Sequence, residues 1–231
     1  LLIAGSGLES TRATLDLTEK MAGRGADVVI VVTPGYFKAK MTAPALEAFY
    51  REVADHSAAP VLLYSVPANT GVDLPAEAVA KLAAHPNIIG LKDSGGDITK
   101  IGRMVYEAGA VRPDFQVLAG SAGFFLPALA VGAVGGVMAL ANIAAGPLHA
   151  VYAKFQAGDL AGARAAHLRL IEANTAVTAR FGVAGLKAAM DLLGYRGGRP
   201  RGPLLPMTED EKTILKGILI KAGLATAVDN G

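Results

Sequence analysis

The chain alternates between short, almost wholly apolar runs and longer segments in which apolar residues recur at helical spacing. The apolar runs are rich in Val, Ile and Leu and occupy Leu1–Ala4, Val28–Val32, Val61–Tyr64, Ile88–Leu91, Phe115–Leu118 and Gly136–Leu140. A strand without polar alternation is typical of a parallel sheet that is covered on both faces. We therefore predict six parallel strands.

The segments between the runs carry helix-start signals, with Ser10 before one segment, Pro75 before a second and Asp97 before a third. From residue 160 onward only helical patterns remain, broken at Phe181–Gly182 and at 194–206. Alternating strands and helices predict right-handed crossover connections. Two closures remain open at this point, a doubly wound sheet or most of an eight-stranded barrel.

The first residue is Leu1 rather than methionine, and the chain opens directly in a predicted strand. A (β/α)8 TIM barrel that lacks its first two strands fits this start better than a complete open sheet does. We expect residues 1–158 to form strands three to eight of such a barrel. Residues 159–231 are expected to form a C-terminal helical extension.

The composition is that of a folded globular protein. Of 231 residues, 52% are hydrophobic and 18% are charged, and the net charge of +2 is too balanced for a nucleic-acid surface. Cysteine is absent and no two of the four histidines stand at ligand spacing, so we expect no metal site. The basic cluster Arg196–Arg201 is interpreted as a solvated loop.

Residues 115–148 contain no charged side chain, which raises the alternative of a membrane span. Proline and glycine residues divide this stretch into pieces too short to cross a bilayer as one helix, so we predict a buried helix followed by a buried strand. The glycine-rich runs Ala4–Ser10 and Gly120–Gly123 could cradle phosphate, but neither has the lysine of a P-loop. Both are interpreted as strand-to-helix turns.

Lys92 is the candidate for covalent chemistry. It lies in the run Asn87–Gly96, after four consecutive strand-like residues, where burial disfavours the charged ammonium form. A neutral amine can attack a ketone and form a Schiff base, whose protonated nitrogen withdraws electrons from the adjacent carbon. A structural ion pair with Asp93 or another strand-end carboxylate explains the same lysine equally well.

Several motifs, in order along the chain, resemble the pyruvate-dependent class I aldolases of the dihydrodipicolinate synthase and N-acetylneuraminate lyase superfamily. They are Val32–Tyr36, Leu63–Gly71, Gly90–Ser94, Val117–Gly120 and Gly135–Asn142. Within that superfamily, the 4-hydroxy-2-oxoglutarate aldolases of mitochondrial type are the most similar. The segments that carry this finer resemblance are Tyr64–Gly71, Lys92–Asp97, Leu118–Gly123 and Arg180–Lys187.

The resemblance implies a (β/α)8 barrel with Lys92 on its sixth strand as the Schiff-base nucleophile and Tyr64 on its fifth strand as the proton-transfer residue. It also implies that Tyr36 reaches across a tight dimer interface, in a homodimer or homotetramer. A barrel-rim role for Tyr64 and a loop-capping role for Tyr36 are the structural alternatives. The implied substrate is a 2-oxo acid with a pyruvate moiety, and no metal, organic cofactor, nucleic acid or membrane is expected.

Three further residues match substrate-binding positions of the family, and a fourth, Asn69, occupies such a position but departs from the pattern. Ser94 matches through its hydroxyl, Gly120 through its backbone and Val137 in the pyruvate pocket. Asn69 stands where dihydrodipicolinate synthases usually have an arginine that holds the carboxylate of the aldehyde. Asparagine lacks both the charge and the bidentate fork of arginine, which disfavours the synthase. N-acetylneuraminate lyases differ after the lysine, so Asp93 followed by Ser94 disfavours a sialic-acid substrate.

Three hypotheses follow. The favoured one is cleavage of 4-hydroxy-2-oxoglutarate to pyruvate and glyoxylate. The second is a 4-hydroxy-tetrahydrodipicolinate synthase that condenses pyruvate with aspartate semialdehyde. The third is a non-catalytic barrel homologue, which the presence of Lys92 and Tyr64 disfavours. The expected location is the cytoplasm, or the mitochondrial matrix in a eukaryote.

Overall fold

The computed structural model describes residues 1–226. The chain divides into two compact units, the first made of residues 1–120 and 130–136 and the second of residues 121–129 and 137 onward. All six strands lie in the first unit. From residue 160 to the end of the described chain the regular elements are helical, as predicted. The boundary drawn at residue 158 stays a prediction.

The strands form one parallel sheet. They are β1 (Ile3–Gly5), β2 (Val28–Val32), β3 (Val61–Ser65), β4 (Ile88–Asp93), β5 (Gln116–Ala119) and β6 (Gly135–Gly136). Each strand pairs with the next one in the chain, in the order β1-β2-β3-β4-β5-β6. A doubly wound sheet reverses its strand order at a switch point. The unbroken order therefore excludes that alternative and is the order of successive barrel strands.

The helices begin where the sequence signals them. Ser10 caps the first helix by accepting a hydrogen bond from the N–H of Ala13, and Asp97 caps the fifth by accepting one from Lys100. The helices are α1 (Thr11–Gly23), α2 (Ala43–His56), α3 (Pro67–Thr70), α4 (Ala76–Ala83), α5 (Ile98–Val111), α6 (Phe125–Ala130), α7 (Ala141–Gln156), α8 (Leu160–Thr175), α9 (Gly182–Leu192) and α10 (Glu209–Lys221), with a π-helical turn at Ala176–Arg180.

The sixth strand differs from its prediction. The apolar run suggested a strand over 136–140, but β6 ends at Gly136. The carbonyl oxygens of Met138 and Leu140 instead accept hydrogen bonds from the N–H groups of Ala141 and Ala144, in the turn that begins α7. Leu140 is fully buried. The apolar character of this run therefore reflects the burial of a turn rather than strand pairing.

The two faces of the sheet differ in burial. Val31, Leu63 and Leu91 pair in register and are each 0% exposed. Tyr50 of α2 donates a hydrogen bond from its hydroxyl to the Val31 carbonyl at 3.1 Å, which shows that helices cover this face. Since successive side chains alternate between faces, the next residue of each strand points to the opposite side, where Lys92 is half-buried.

Two further sequence interpretations can be placed on the structure. The uncharged stretch 115–148 contains α6 and β6, and no helix of residues 1–226 is both long enough and apolar enough to cross a bilayer. The basic cluster Arg196–Arg201 lies between α9 and α10, where most of its residues are exposed, so its interpretation as a solvated loop is confirmed. The two glycine-rich runs lie in strand-to-helix connections, also as interpreted.

Candidate active site

Lys92 and Tyr64 lie side by side at the carboxyl end of the sheet. Lys92 is on β4, Tyr64 is on β3, and the two residues pair in register, so their side chains project to the same face. The Nζ atom of Lys92 lies 4.2 Å from the centroid of the Tyr64 ring. Both side chains are half-buried. The structure thus brings together the two residues that the sequence put forward for catalysis.

The amine of Lys92 has no carboxylate partner in the described part of the chain, where none of the salt bridges includes it. Asp93 follows it on β4 and points to the opposite face, where it is fully buried and lies 3.0 Å from Lys100. The ion-pair explanation for Lys92 therefore lacks its expected contact. The aromatic ring of Tyr64 is the group against which the amine packs.

Gly90 shapes the strand beneath Lys92. The pairing of β3 with β4 shifts in register between Val61 and Leu62, and Leu62 then pairs with Gly90. A Cβ atom on Gly90 would collide with the backbone oxygen of Gln116 on β5. The glycine therefore permits the close approach of β5 two residues before the candidate nucleophile.

Ser94 and Gly120 touch one another beyond the ends of β4 and β5. The Gly120 N–H donates to the Asp93 carbonyl at 2.7 Å, and the Ser94 N–H donates to the Ser65 carbonyl at 2.8 Å. A Cβ atom on Gly120 would overlap the hydroxyl of Ser94 and would lie 2.8 Å from the Asp93 carbonyl oxygen. Only glycine fits there without displacing Ser94. The predicted substrate contacts of both residues stay predictions.

Tyr36 and Asn69 lie on the segments that follow β2 and β3, at the same end of the sheet. The Tyr36 side chain is 77% exposed and its ring stacks edge-on against Phe37, with 4.9 Å between ring centroids. The carboxylate of Glu9 accepts the N–H of Tyr36 at 2.8 Å and so fixes the loop. Asn69 is exposed on α3. Both residues are thus surface groups in this chain.

Val137 is placed differently from the other candidate residues. It follows β6 directly but belongs to the second unit, and its side chain is 40% exposed. Its role in a pyruvate pocket stays a prediction.

Sequence reasoning missed a charged cluster on the helix-facing side of the same strand ends. The Nζ atom of Lys100 on α5 lies 2.5 Å from Asp73 Oδ1 and 3.0 Å from Asp93 Oδ2. Burial lowers the pKa of Lys100, but hydrogen bonding to Asp73 and the charge of Asp93 outweigh it, so the net shift is upward. A signal was present, because a lysine in the first turn of a helix opposes the helix dipole unless a carboxylate lies nearby.

The chain is similar to one known family over most of its length. The sequence model described as the dihydrodipicolinate synthetase family matches residues 1–222. The 4-hydroxy-tetrahydrodipicolinate synthase of Methanoculleus marisnigri is 35% identical over 222 residues, which cover 96% of this chain and 75% of the relative.

Solved structures agree with the sequence comparison. Dihydrodipicolinate synthase from Thermotoga maritima superposes with a TM-score of 0.91 at 31% identity, over 96% of this chain and 75% of the other. The enzyme from Acinetobacter baumannii, solved in complex with pyruvate, gives a TM-score of 0.88 at 30% identity over the same shares.

These relatives carry the name of the synthase and not that of the hydroxyoxoglutarate aldolase, so they do not support the finer resemblance. They are archaeal and bacterial proteins, and they lend no support to a mitochondrial location. The six-stranded sheet, the strand-end lysine and the match over residues 1–222 all agree: the chain belongs to the dihydrodipicolinate synthetase family, and it is one of that family's pyruvate-dependent carbon–carbon lyases or synthases.

Proposed function

We propose that Lys92 forms a Schiff base with the 2-oxo group of pyruvate, or of a longer 2-oxo acid that contains a pyruvate moiety. The observation that carries this proposal is the amine of Lys92 beside the Tyr64 ring, without a carboxylate to hold it in residues 1–226. An ammonium locked in a salt bridge is a poor nucleophile, whereas a half-buried amine beside a phenol can lose its proton and attack a carbonyl.

In the cleavage direction, the lysine nitrogen adds to the 2-oxo carbon and water leaves, which gives a protonated imine. Tyr64 gives its phenolic proton to the departing hydroxide in the imine-forming step and then, as a phenolate, accepts the proton of the 4-hydroxyl group. The C3–C4 bond breaks, and the electron pair of that bond enters the imine to form an enamine. The aldehyde fragment departs. Protonation of the enamine carbon and hydrolysis of the imine then release pyruvate and restore the free Lys92. Condensation runs through the same steps in reverse.

Two aldehyde partners are candidates. The names of the relatives favour aspartate semialdehyde, which would make the protein a 4-hydroxy-tetrahydrodipicolinate synthase. This candidate has the broader support, because it rests on proteins that are similar over 96% of the chain.

The second candidate is glyoxylate, released from 4-hydroxy-2-oxoglutarate, and one residue favours it. Asn69 is neutral and cannot supply the bidentate charge that an arginine offers to a carboxylate. Lys38 lies near α3, because a Cβ atom on Gly71 would be 2.9 Å from its Cδ atom. In residues 1–226 Lys38 forms no salt bridge, so its charge is available to the carboxylate of either aldehyde, and the preference for glyoxylate rests on Asn69 alone.

Trapping tests the shared chemistry. The full-length protein is incubated with pyruvate and sodium borohydride, and the adduct is located by intact mass and peptide mapping. We expect a reduced adduct on Lys92 that is absent from Lys92→Ala. Lys81→Ala is the matched control, since Lys81 is an exposed lysine paired with Glu47. A folded protein that gives no adduct on Lys92 contradicts the Schiff-base mechanism and favours the non-catalytic homologue.

Product analysis then decides between the two aldehydes. Release of glyoxylate from 4-hydroxy-2-oxoglutarate is compared with consumption of aspartate semialdehyde in the presence of pyruvate. The reaction with the larger kcat/KM identifies the aldehyde that the protein prefers. The variant Asn69→Arg sharpens the result, since we expect it to shift the ratio toward aspartate semialdehyde if position 69 selects the aldehyde.

Assembly into a dimer or tetramer is part of the same proposal. Tyr36 and Phe37 form an aromatic pair that is 77% and 64% exposed, and exposed aromatic groups are enriched in protein interfaces. Analytical ultracentrifugation of the wild type and of Tyr36→Ala measures the oligomeric state. A wild type that is monomeric at micromolar concentration would contradict this part of the proposal.

A further inference from the structure

Two strands of the sheet are joined behind the candidate catalytic pair. Ser65 follows Tyr64 on β3 and Asp93 follows Lys92 on β4, and these two following residues also pair in register. Since side chains alternate along a strand, Ser65 and Asp93 point to the helix-facing side, away from Tyr64 and Lys92. Both are fully buried.

Both oxygen atoms of the Asp93 carboxylate make contacts. Its Oδ1 atom accepts the N–H groups of Gly95 at 2.8 Å and Gly96 at 3.2 Å, which folds the loop that leaves β4. Its Oδ2 atom lies 3.0 Å from Lys100 Nζ but outside hydrogen-bond geometry. We attribute the contact of Oδ2 with Lys100 to charge, because an ion pair needs proximity rather than an aligned lone pair.

Lys100 also connects to β3. Its ammonium donates to Asp73 Oδ1 at 2.5 Å, and the same oxygen accepts the hydroxyl of Ser65 at 3.1 Å. The Ser65 oxygen in turn accepts the N–H of Leu74 at 3.3 Å. The Lys100 side chain is 13% exposed and that of Asp73 is 50% exposed, so water screens the contact with Asp73 more than the contact with the fully buried Asp93.

We propose that Lys100, held between Asp73 and Asp93, is a positioning residue that sets the relative placement of Tyr64 and Lys92. The proposal rests on the proposed function in naming that pair as catalytic. Lys100 reaches neither side chain. It acts through Ser65 and Asp93, each of which is bonded covalently to one member of the pair.

A purely stabilising role is the competing explanation, and two variants separate the explanations. Lys100→Met alone leaves a buried carboxylate without a counter-charge, so it lowers stability whichever explanation holds. The double variant Lys100→Met with Asp93→Asn removes both charges and keeps an oxygen for Gly95 and Gly96. We expect the double variant to recover most of the lost melting temperature.

The readout is the reactivity of Lys92, measured in two ways on the full-length protein. The first is the rate of borohydride trapping with pyruvate. The second needs no enzyme activity: trace acetylation by acetic anhydride, quantified by peptide mapping relative to Lys81 and recorded as a function of pH. Lys100→Arg, which keeps the charge, is the conservative variant, and Lys81→Met is the control for loss of an ion pair elsewhere in the same unit.

For the double variant we expect trapping to slow by about 10- to 100-fold, the scale of a misplacement near 1 Å. Its acetylation profile for Lys92 should differ from that of the wild type. Lys100→Arg should give values between those of the double variant and the wild type in both readouts. Lys81→Met should match the wild type in both. A double variant with recovered melting temperature and wild-type reactivity of Lys92 would overturn the proposal. If the wild type forms no pyruvate adduct, the proposed function fails. The acetylation of Lys92 in the double variant then still tests the positioning role: a changed profile supports this role, and an unchanged profile refutes it.

Discussion

The two faces of the sheet differ, at its carboxyl end, in whether their charged side chains are paired. On one face Lys92 packs against the Tyr64 ring, and no carboxylate in residues 1–226 pairs with it. On the other face, one residue further along β4, Asp93 is fully buried and lies beside Lys100, which also contacts Asp73. A charge that is paired and buried stabilises a particular geometry, while an unpaired amine is free to react. The alternation of a single strand thus separates the reactive group from the structural ones.

The largest expected effect is on the reactive face. In Tyr64→Phe the ring that packs against Lys92 is kept and only the hydroxyl is lost. We expect kcat to fall by about 10²- to 10⁴-fold, the usual contribution of a positioned proton-transfer group, with little change in melting temperature. Steady-state kinetics and differential scanning fluorimetry measure the two quantities. Normal kcat in this variant would assign the proton transfer to another group and leave Tyr64 as a packing residue.

The next effect is on the paired face. Lys100→Met should lower the free energy of unfolding by about 3–5 kcal/mol, because it leaves Asp93 buried without a counter-charge. Lys81→Met removes an exposed ion pair and should cost about 0–1 kcal/mol. Urea denaturation of both variants gives the two values. Equal losses would show that burial does not distinguish the two lysines, and the contrast between the faces would fail.

A smaller effect on stability is expected at the ends of β4 and β5, where Gly120 contacts Ser94. Gly120→Ala must displace Ser94, which we expect to lower stability by about 1–3 kcal/mol and to raise the KM for pyruvate. Gly109→Ala is the control, since nothing lies within 4 Å of a Cβ atom at this position in α5. That change should stabilise the protein by about 0.5–1 kcal/mol. A tolerated Gly120→Ala with unchanged KM would argue that Ser94 does not contact the substrate.

The second unit contains a buried titratable side chain that lacks a charged partner among the described residues. His167 on α8 is 5% exposed, its Nδ1 atom has no hydrogen-bond partner among the described residues, and burial lowers its pKa. A histidine whose folded-state pKa is depressed binds its proton more weakly in the folded than in the unfolded chain. Stability is therefore expected to fall as the pH drops below the unfolded value of about 6.5.

Melting temperatures at pH 7 and pH 5.5 test this expectation in the wild type, in His167→Leu and in the exposed-histidine variant His149→Leu. The slope of stability against pH should decrease in His167→Leu, by at most about 1.4 kcal/mol per pH unit for one titrating group. His149→Leu, which removes an exposed imidazole, is the control for the loss of a histidine as such. An unchanged slope in His167→Leu would show that this imidazole is protonated equally in both states.

The sequence predicted the first five strands better than the sixth. Continuous apolar runs located the first five strands to within two residues, because these strands are apolar on both sides even though full burial is largely confined to the helix-facing side. The sixth run misled for the same reason, since the turn after Gly136 is also buried. An apolar run therefore indicates burial and does not by itself indicate strand pairing.

The candidate site was partly accessible in the same way. Lys92 stands out as an amine within an apolar strand, and period-two alternation separates it from Asp93. The partners of Asp93 could not be predicted, because Asp73 and Lys100 come from different segments and meet only through the pairing of β3 with β4 and the packing of α5. Asn69 was recognised from a family pattern rather than from the local sequence.

The unbroken order of the six strands has a consequence for synthesis. Each strand pairs with the one that precedes it in the chain, so no strand of this sheet has to wait for a distant segment to be translated. At about 5–20 residues per second, a new strand and its helix leave the ribosome every few seconds. The nascent chain can therefore extend the sheet one unit at a time, and the strand that formed last is the one that the next strand covers.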